Sequence, residues 1–319
     1  MRANDSRRKP AGTGTTASKM AGSTPVSAAQ PVISVVIPTK GRISLKGCLA
    51  ALRAADFGPD RFEVVVANDR GGEPVDALVT SFADGLRVAI ARPRRTGPSA
   101  ARNAGAAAAS GAYVAFTDDD CEPSPSWLTA LECSLAANPG AAVGGRVENG
   151  RPESLGAVAT QVVVDALGAH FNRDPDAPRF FASSNVAFPA EAFRKLGGFD
   201  EDRRYAEDRD LCERWIRTGH RFVSSPQAVV VHMRELGLRE FTAQHYGYGR
   251  GARAFNRRRS GEDRRTDRSG VLRELTREAL RRHEGHGRLS VAGYAALSQL
   301  ATAAGWARES IAALGARRG

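Results

Sequence analysis

Ala112-Tyr-Val-Ala-Phe-Thr-Asp-Asp-Asp120 is the stretch from which the fold can be read. Ala112 to Phe116 is a short apolar run of the kind that forms a buried strand. The three carboxylates Asp118, Asp119 and Asp120 follow it directly. Placed together at the end of a buried strand they repel one another and lose hydration, so a cation is expected among them. Oxygen ligands without a soft donor suit Mg²⁺ or Mn²⁺, and a Mg²⁺ site commonly combines one or two carboxylates with phosphate oxygens. The same run also suits a solvated acidic turn ahead of a helix that begins near Ser126.

Outward from this run, β-branched strands alternate with longer helical segments, the pattern of an α/β domain with a largely parallel sheet. Expected strands are Ile33 to Ile37, Phe62 to Ala67, Leu86 to Ala91 and Ala112 to Thr117. Helices are expected near Ser44 to Ala55, Val75 to Ala83 and Pro98 to Ala109. Ligands of such sheets bind beyond the carboxyl ends of the strands. Pro38-Thr39, Asn68-Asp69 and Asp118 to Asp120 all stand at such ends. Helix Ser126 to Ala137 and strand Ala142 to Arg146 continue the domain, and no clear pattern follows from Arg151 to Arg179. Order returns with Ser183 to Phe188, a short helix from Ala190, a helix behind Glu207-Asp208, and a strand Phe222 to Val231 that ends in His232.

The chain has 319 residues and a formal charge of +11, but that charge is unevenly distributed. Residues 1–30 carry +4, residues 31–249 carry −2 and residues 250–319 carry +9. A central body without a basic stripe argues against nucleic-acid binding. The basic ends leave an anionic membrane surface as a partner for peripheral contact. Three parts are expected: a disordered arm over 1–30, an α/β domain over 31–249, and an Arg-rich helical extension over 250–319. Four cysteines (Cys48, Cys121, Cys133 and Cys212) form no C-x-x-C pair, which points to a reducing compartment. The uncharged run Val291 to Ala307 is a poor spanning helix and suits packing against the domain or an interface.

Several pieces carry chemistry. Gly97-Pro-Ser-Ala-Ala-Arg-Asn-Ala-Gly105 opens a helix whose first backbone N–H groups could meet an anion, with Arg102 adding a charge-assisted contact. It also reads as an ordinary Ala-rich helix with glycine ends. Glu207-Asp208 heads another helix, where acids complement the dipole; a carboxylate there could equally serve as a general base. His232 emerges at a strand end, as a ligand or as a structural imidazole.

Taken in order, these pieces resemble the inverting family-2 nucleotide-sugar glycosyltransferases of the GT-A fold. The resemblance runs from Pro31 to Arg253. Its residues are Val-Val-Ile-Pro-Thr-Lys-Gly-Arg (35–42), Asn68-Asp69, Pro98 to Gly105, Phe116 to Asp120, Ser183-Ser-Asn-Val-Ala-Phe188, Leu196-Gly-Gly-Phe-Asp-Glu201, Glu207 to Leu211 and His232. The resemblance implies transfer of a sugar from a nucleotide-diphosphate sugar to a hydroxyl acceptor, a glycan or a lipid-linked molecule of the cell envelope, with Mg²⁺ or Mn²⁺. It implies that Asp118 and Asp120 form the D-x-D motif and that His232 completes the metal site. Pro38, Thr39, Arg42, Asn68, Asp69, Arg102, Asp118 and Asp119 fall around the nucleotide, although the particular role of the middle carboxylate stays open. Ser184 and Asn185 fall between donor sugar and acceptor. Asp208, beside Glu207, falls on the base that deprotonates the acceptor hydroxyl.

Two departures stand out. The second strand exits through Asn68-Asp69-Arg70-Gly71 where the family commonly has Asp-Asp-Gly-Ser, so an amide replaces a charge. Residues 151–180 match nothing in the family. A nucleotidyltransferase on a similar sheet is one alternative, but a Gly-rich turn with a following Lys is absent after the first strand. A non-enzymatic protein that binds anions through its basic tail is another. Tyr246-Gly-Tyr-Gly-Arg-Gly-Ala-Arg253 resembles a segment that follows the catalytic domain in many bacterial members. With the cationic helices after it, it suggests a cytoplasmic protein held at the cytoplasmic face of the membrane.

Overall fold

In the computed structural model, the described residues are 30–70, 72–258, 268–282 and 285–315. The expected arm therefore lies almost wholly outside them, as does most of the Arg-rich stretch near 257–270. One eight-stranded sheet organises the rest. Its strands are β1 (Ile33–Thr39), β2 (Phe62–Asn68), β3 (Val88–Ala91), β4 (Tyr113–Phe116), β5 (Cys121–Pro123), β6 (Ala142–Asn149), β7 (Val186–Pro189) and β8 (Phe222–His232), in the order β3-β2-β1-β4-β7-β6-β8-β5. β1 to β4 pair in parallel; the nearly unbroken apolar runs of β1, β2 and β4 are buried on both faces, while β3 at the edge is only partly covered. β7 runs antiparallel to both β4 and β6, and β6 resumes the parallel direction with β8. The sheet is mixed, with six strands pointing one way and β5 and β7 the other.

β5 is absent from the sequence-based expectation. Three residues ending in proline are too few to show a period. It pairs antiparallel with β8, Cys121 opposite His232. This pairing bends the sheet. Five residue steps separate Phe116 from Cys121 and span at most about 18 Å when fully extended. A flat sheet would put four strand spacings, about 19 Å, between β4 and β5. The link is not extended, since the Cys121 amide donates to the Asp118 carbonyl at 3.1 Å. The far edge must therefore curl back, and the curl brings the end of β8 to the exit of β4.

Two apolar layers cover the sheet. On one side α1 (Leu45–Arg53), α2 (Gly72–Thr80) and α4 (Trp127–Ala137) bury Leu45, Leu49, Val75, Val79, Trp127 and Leu131. On the other, α3 (Pro98–Ala108), α6 (Ala190–Lys195) and α7 (Glu207–Arg217) close over Phe116, Phe188, Phe193, Phe199 and Trp215. The Phe116 ring lies 5.1–6.2 Å from those of Phe188, Phe193 and Phe199, and this fixes the strand that delivers the acidic run. Gly105 permits the close approach of α3, since a Cβ there would strike Val36.

The segment without a clear sequence pattern is largely a helix, α5 (Leu155–Phe171), capped by the Ser154 hydroxyl, which accepts from the Ala157 amide. Its apolar residues surround the axis. No single stripe marked it, because the C-terminal helices cover it where solvent would otherwise be. Those helices are α8 (Leu238–Arg258), α9 (Arg268–Arg281) and α10 (Arg288–Gly315). Val158, Val162, Leu275, Ala279, Val291 and Ala295 share one buried cluster. α8 runs without a break through residues 249 and 250, where the sequence suggested a boundary. No helix among the described residues is long and apolar enough to cross a membrane.

Candidate active site

The curl gathers the acidic run, Glu207-Asp208 and His232 at the carboxyl end of the parallel strands. The cations expected among the acids include two arginines. Arg42, just past β1, reaches Asp120 at 2.6 Å and Asp119 at 3.2 Å. Arg102, on the first turns of α3 and 5% exposed, holds Asp118 at 2.7 Å and Glu207 at 3.3 Å. A buried guanidinium between two carboxylates offsets their desolvation and fixes both. Arg102 thereby ties the strand-end acids to the head of α7.

The three aspartates occupy different environments. Asp119 is buried, accepts from the Thr39 hydroxyl at 2.6 Å, and is pushed up to about 6, by burial foremost, against the pull of Thr39 and Arg42. It joins the exit of β1 to that of β4. Asp120 faces His232, whose Nε2 lies 3.3 Å from its carboxylate. Burial alone would raise Asp120, but the bond from His232 and the charges of His232 and Arg42 hold it below the usual carboxylate range. The Asp120 carbonyl accepts from the Met233 amide at 2.8 Å, so backbone pairing sets this meeting.

Asp120 and His232, with the Cys121 thiol, bring three ligating atoms within 4.8 Å of one another. A carboxylate held ionised beside an imidazole fits a divalent cation. Burial raises the Cys121 thiol well above its ordinary value, which leaves it protonated and a poor ligand for a hard ion. Asp118 stands apart from this group, turned to Arg102.

Ala206, immediately before Glu207, is the only non-glycine residue with positive φ among the described residues, at 59°. That left-handed conformation costs an L-residue roughly 1–2 kcal/mol, and it swings the head of α7 into the site. Glu207 is pushed up to about 7, by burial first and by the Asp208 charge second, with Arg102 opposing. Asp208 is raised as well, chiefly by burial, while the Arg209 amide donating at 2.7 Å and the Arg102 charge oppose. Two adjacent carboxylates held back from ionisation make a proton-accepting centre. Tyr248 of α8, 43% exposed, joins them; burial of its hydroxyl end and the Asp208 and Glu207 charges raise the phenol. Gln244 donates to that hydroxyl at 2.9 Å.

Along the neighbouring strand ends, Pro38 stands one residue before the end of β1, opposite Ala67 of β2. Asn68 spends its amide internally, donating to the Gly72 carbonyl at 3.1 Å and to Asp76 at 2.9 Å. Asp69 accepts from the Gly97 amide at 3.2 Å through Oδ2, whereas its buried Oδ1 has no partner among the described residues. Gly97 adopts φ 131°, open to glycine and strained for other residues, and so aims that amide. Asn185 is buried and ties three elements: it accepts from Trp127 Nε1 at 2.8 Å and donates to the carbonyls of Arg146 and Ala228. Its neighbour Ser184 is half-buried.

Residues 34–197, half of the chain, match the family described as glycosyl transferase family 2. The chain belongs to that family. Pre-mycofactocin glycosyltransferase of Mycobacterium tuberculosis is 30% identical to this family-2 chain over 224 residues, which are 68% of the chain and 46% of the relative. The chain thus spans about half the length of that curated relative. Among solved structures, the mannosyltransferase PcManGT of Pyrobaculum calidifontis, in complex with GDP-Man and Mn²⁺, superposes with a TM-score of 0.57 at 21% identity. That match covers 91% of this chain and 80% of the other. TarS 1-349 of S. aureus, in complex with UDP-GlcNAc, gives 0.52 at 16% identity, over 82% and 70% of the two chains. Both likenesses establish the GT-A-like fold.

Sequence reasoning about this family-2 chain missed Cys121 beside Asp120 and His232, and Tyr248 with Gln244 beside the carboxylates. Cys121 showed no signal apart from following the acids. Gln244 and Tyr248 stand at i and i+4 on α8, a spacing that places them together once the helix is known.

Proposed function

We propose that this chain transfers a sugar with inversion from a nucleotide-diphosphate sugar to a hydroxyl acceptor, a glycan or a lipid-linked molecule, with Asp208 as the base. The observation that carries this reading is the meeting, in one curled sheet end, of an Asp120–His232 pair, the Glu207-Asp208 pair and an unpartnered Asp69 oxygen. Asp69 Oδ1 is suited to accept an N–H from the nucleobase, because a buried carboxylate oxygen without a partner gains a full hydrogen bond from such a donor. Pro38, Thr39 and Arg42 border that position. Asn68 contributes by bracing the head of α2.

Asp120 and His232 would hold Mg²⁺ or Mn²⁺, with Asp118 as the other D-x-D carboxylate. The ion, when bound, supplies Lewis-acid neutralisation of the departing diphosphate. The protein's own share is proton transfer and placement. Asp208 accepts the proton of the attacking hydroxyl as the new bond to the anomeric carbon forms. Glu207, when ionised, places negative charge beside Asp208 and so favours the protonated product state. Arg102 sets the distance between the donor side at Asp118 and the acceptor side at Glu207. Asn185 acts by holding α4, β6 and β8 in place, and Ser184 is the residue of that segment left open to the sugar.

A thermal-shift screen of UDP-, GDP- and dTDP-sugars with and without Mn²⁺ tests the proposal. One donor should stabilise the protein only with metal, by about 2.7 kcal/mol at a hundredfold excess over Kd. The released product should be a nucleoside diphosphate. Pyrophosphate release, or stabilisation by no donor at all, would overturn the reading.

A further inference from the structure

A cavity of about 230 Å³ lies between the turn 202–205 and the helices α8 and α10. It shares no lining residue with the acidic run, Glu207-Asp208 or His232. Its walls present Arg203, Arg204, Arg250 and Arg257 against two carboxylates, Asp202 and Glu309. The pairing of these groups decides what the cavity can hold. Arg203 is buried and committed to Asp200 and Asp210, at 3.3 and 2.9 Å. Arg250 pairs with Glu309 at 3.1 Å. Asp202 lies 2.8 Å from Arg95 and is neutralised there. Arg204 and Arg257 are exposed, and among the described residues neither has a carboxylate partner.

Two guanidiniums without counter-ions among the described residues therefore line one concavity of net positive charge. Gly251 and Ala254 of α8 keep it open. Gly251 is also required there, because a Cβ would meet Tyr205 at 2.6 Å. Glu309 shows the kind of group the cavity accepts, since the chain itself places one carboxylate against Arg250. A planar guanidinium fork pairs well with oxyanions, and a tetrahedral phosphate has enough oxygens for two forks at once.

We infer that this cavity is a phosphate-binding site built on Arg204 and Arg257. A phosphate held there ties to α8 the turn 202–205, which leads directly into the left-handed Ala206 and the head of α7. The phosphate can come from a lipid headgroup or from a free phosphate group, and binding requires neither divalent metal nor sugar donor.

Titration calorimetry of the full chain in EDTA, at constant ionic strength, with inorganic phosphate and pyrophosphate tests the free source. Flotation with phosphatidylglycerol vesicles against phosphatidylcholine vesicles tests the headgroup. Saturable binding in either arm, weakened about ten-fold in Arg204→Gln/Arg257→Gln and unchanged in the exposed control Arg173→Gln/Arg179→Gln, supports the site. Phosphate binding without flotation identifies a free phosphate, and flotation on phosphatidylglycerol alone identifies the headgroup. Ala254→Glu, which puts a carboxylate into the cavity, should abolish the binding while its melting curve stays cooperative. No binding by any probe, or equal loss in the site and control pairs, would overturn the inference.

Discussion

Asp208 and Asp120 divide the proposed reaction between them, and single substitutions separate their roles. Asp208→Asn keeps the shape of the site and removes the proton acceptor, so turnover should fall about 10²- to 10⁴-fold with donor affinity unchanged. Steady-state rates beside a donor-binding titration check this. Asp120→Asn should instead abolish the Mn²⁺-dependent part of donor binding, read as loss of the metal-dependent thermal shift. The pH dependence follows from the carboxylate pair. A base must be unprotonated, and Glu207 titrates at about 7, raised by burial and by the Asp208 charge. kcat/KM should therefore climb with pH along an acid limb near neutrality, well above that of an exposed carboxylate, with apparent values that belong to the pair. Glu207→Gln removes a negative neighbour, lowers the value of Asp208, and should move that limb to lower pH. A limb that stayed in place would show that Glu207 does not act on the base.

β4 and the aromatic cluster around it govern where the acids sit. Phe116 is fully buried against three other phenylalanine rings, and Phe116→Ala should cost about 3–5 kcal/mol of unfolding free energy, measured by denaturant titration. α8 and α10 meet through small residues. A Cβ at Gly249 would collide with the Thr302 carbonyl, and one at Gly305 with that of Tyr246. Gly305→Val should therefore destabilise by about 1–3 kcal/mol and lower Tm, because the helices would have to separate. The glycine-rich segment 246–253 was visible in the sequence, but its purpose was not. Gly247 and Gly251 receive Tyr205, and Gly249 receives α10, so the same short run serves two neighbours.

At the level of the whole molecule the C-terminal helices are part of the support of the site. Arg209, next to the proposed base, stacks 4.7 Å from the Phe171 ring of α5 and 4.8 Å from the Phe255 ring of α8. A chain ended at Gly249 would lose Phe255 and expose Val158, Val162 and Ala166 of α5. It should melt well below the full chain or fail to fold, as circular dichroism on heating would record. Retention of the full Tm would show that residues 31–249 stand alone.

What the sequence determined by itself is local. Buried apolar runs specified β1, β2 and β4, and a small-residue run with glycine ends specified α3. Polar residues at strand exits marked Pro38-Thr39, Asn68-Asp69 and the acidic run, because burial and backbone conformation act over a few residues. The tertiary structure alone decided which acid meets which cation. The acidic run called for a cation; Arg42, 77 and 78 residues before Asp119 and Asp120, and Arg102, which spans Asp118 and Glu207, fill much of that need. The pairing of Cys121 with His232 depends on a three-residue strand and on the curl that it enforces. α5 stayed illegible for a related reason, since a helix covered on several sides has no polar stripe to mark it. Electrostatic partners and covered surfaces are set by distance in space, and chain order carries that distance only where the backbone is short.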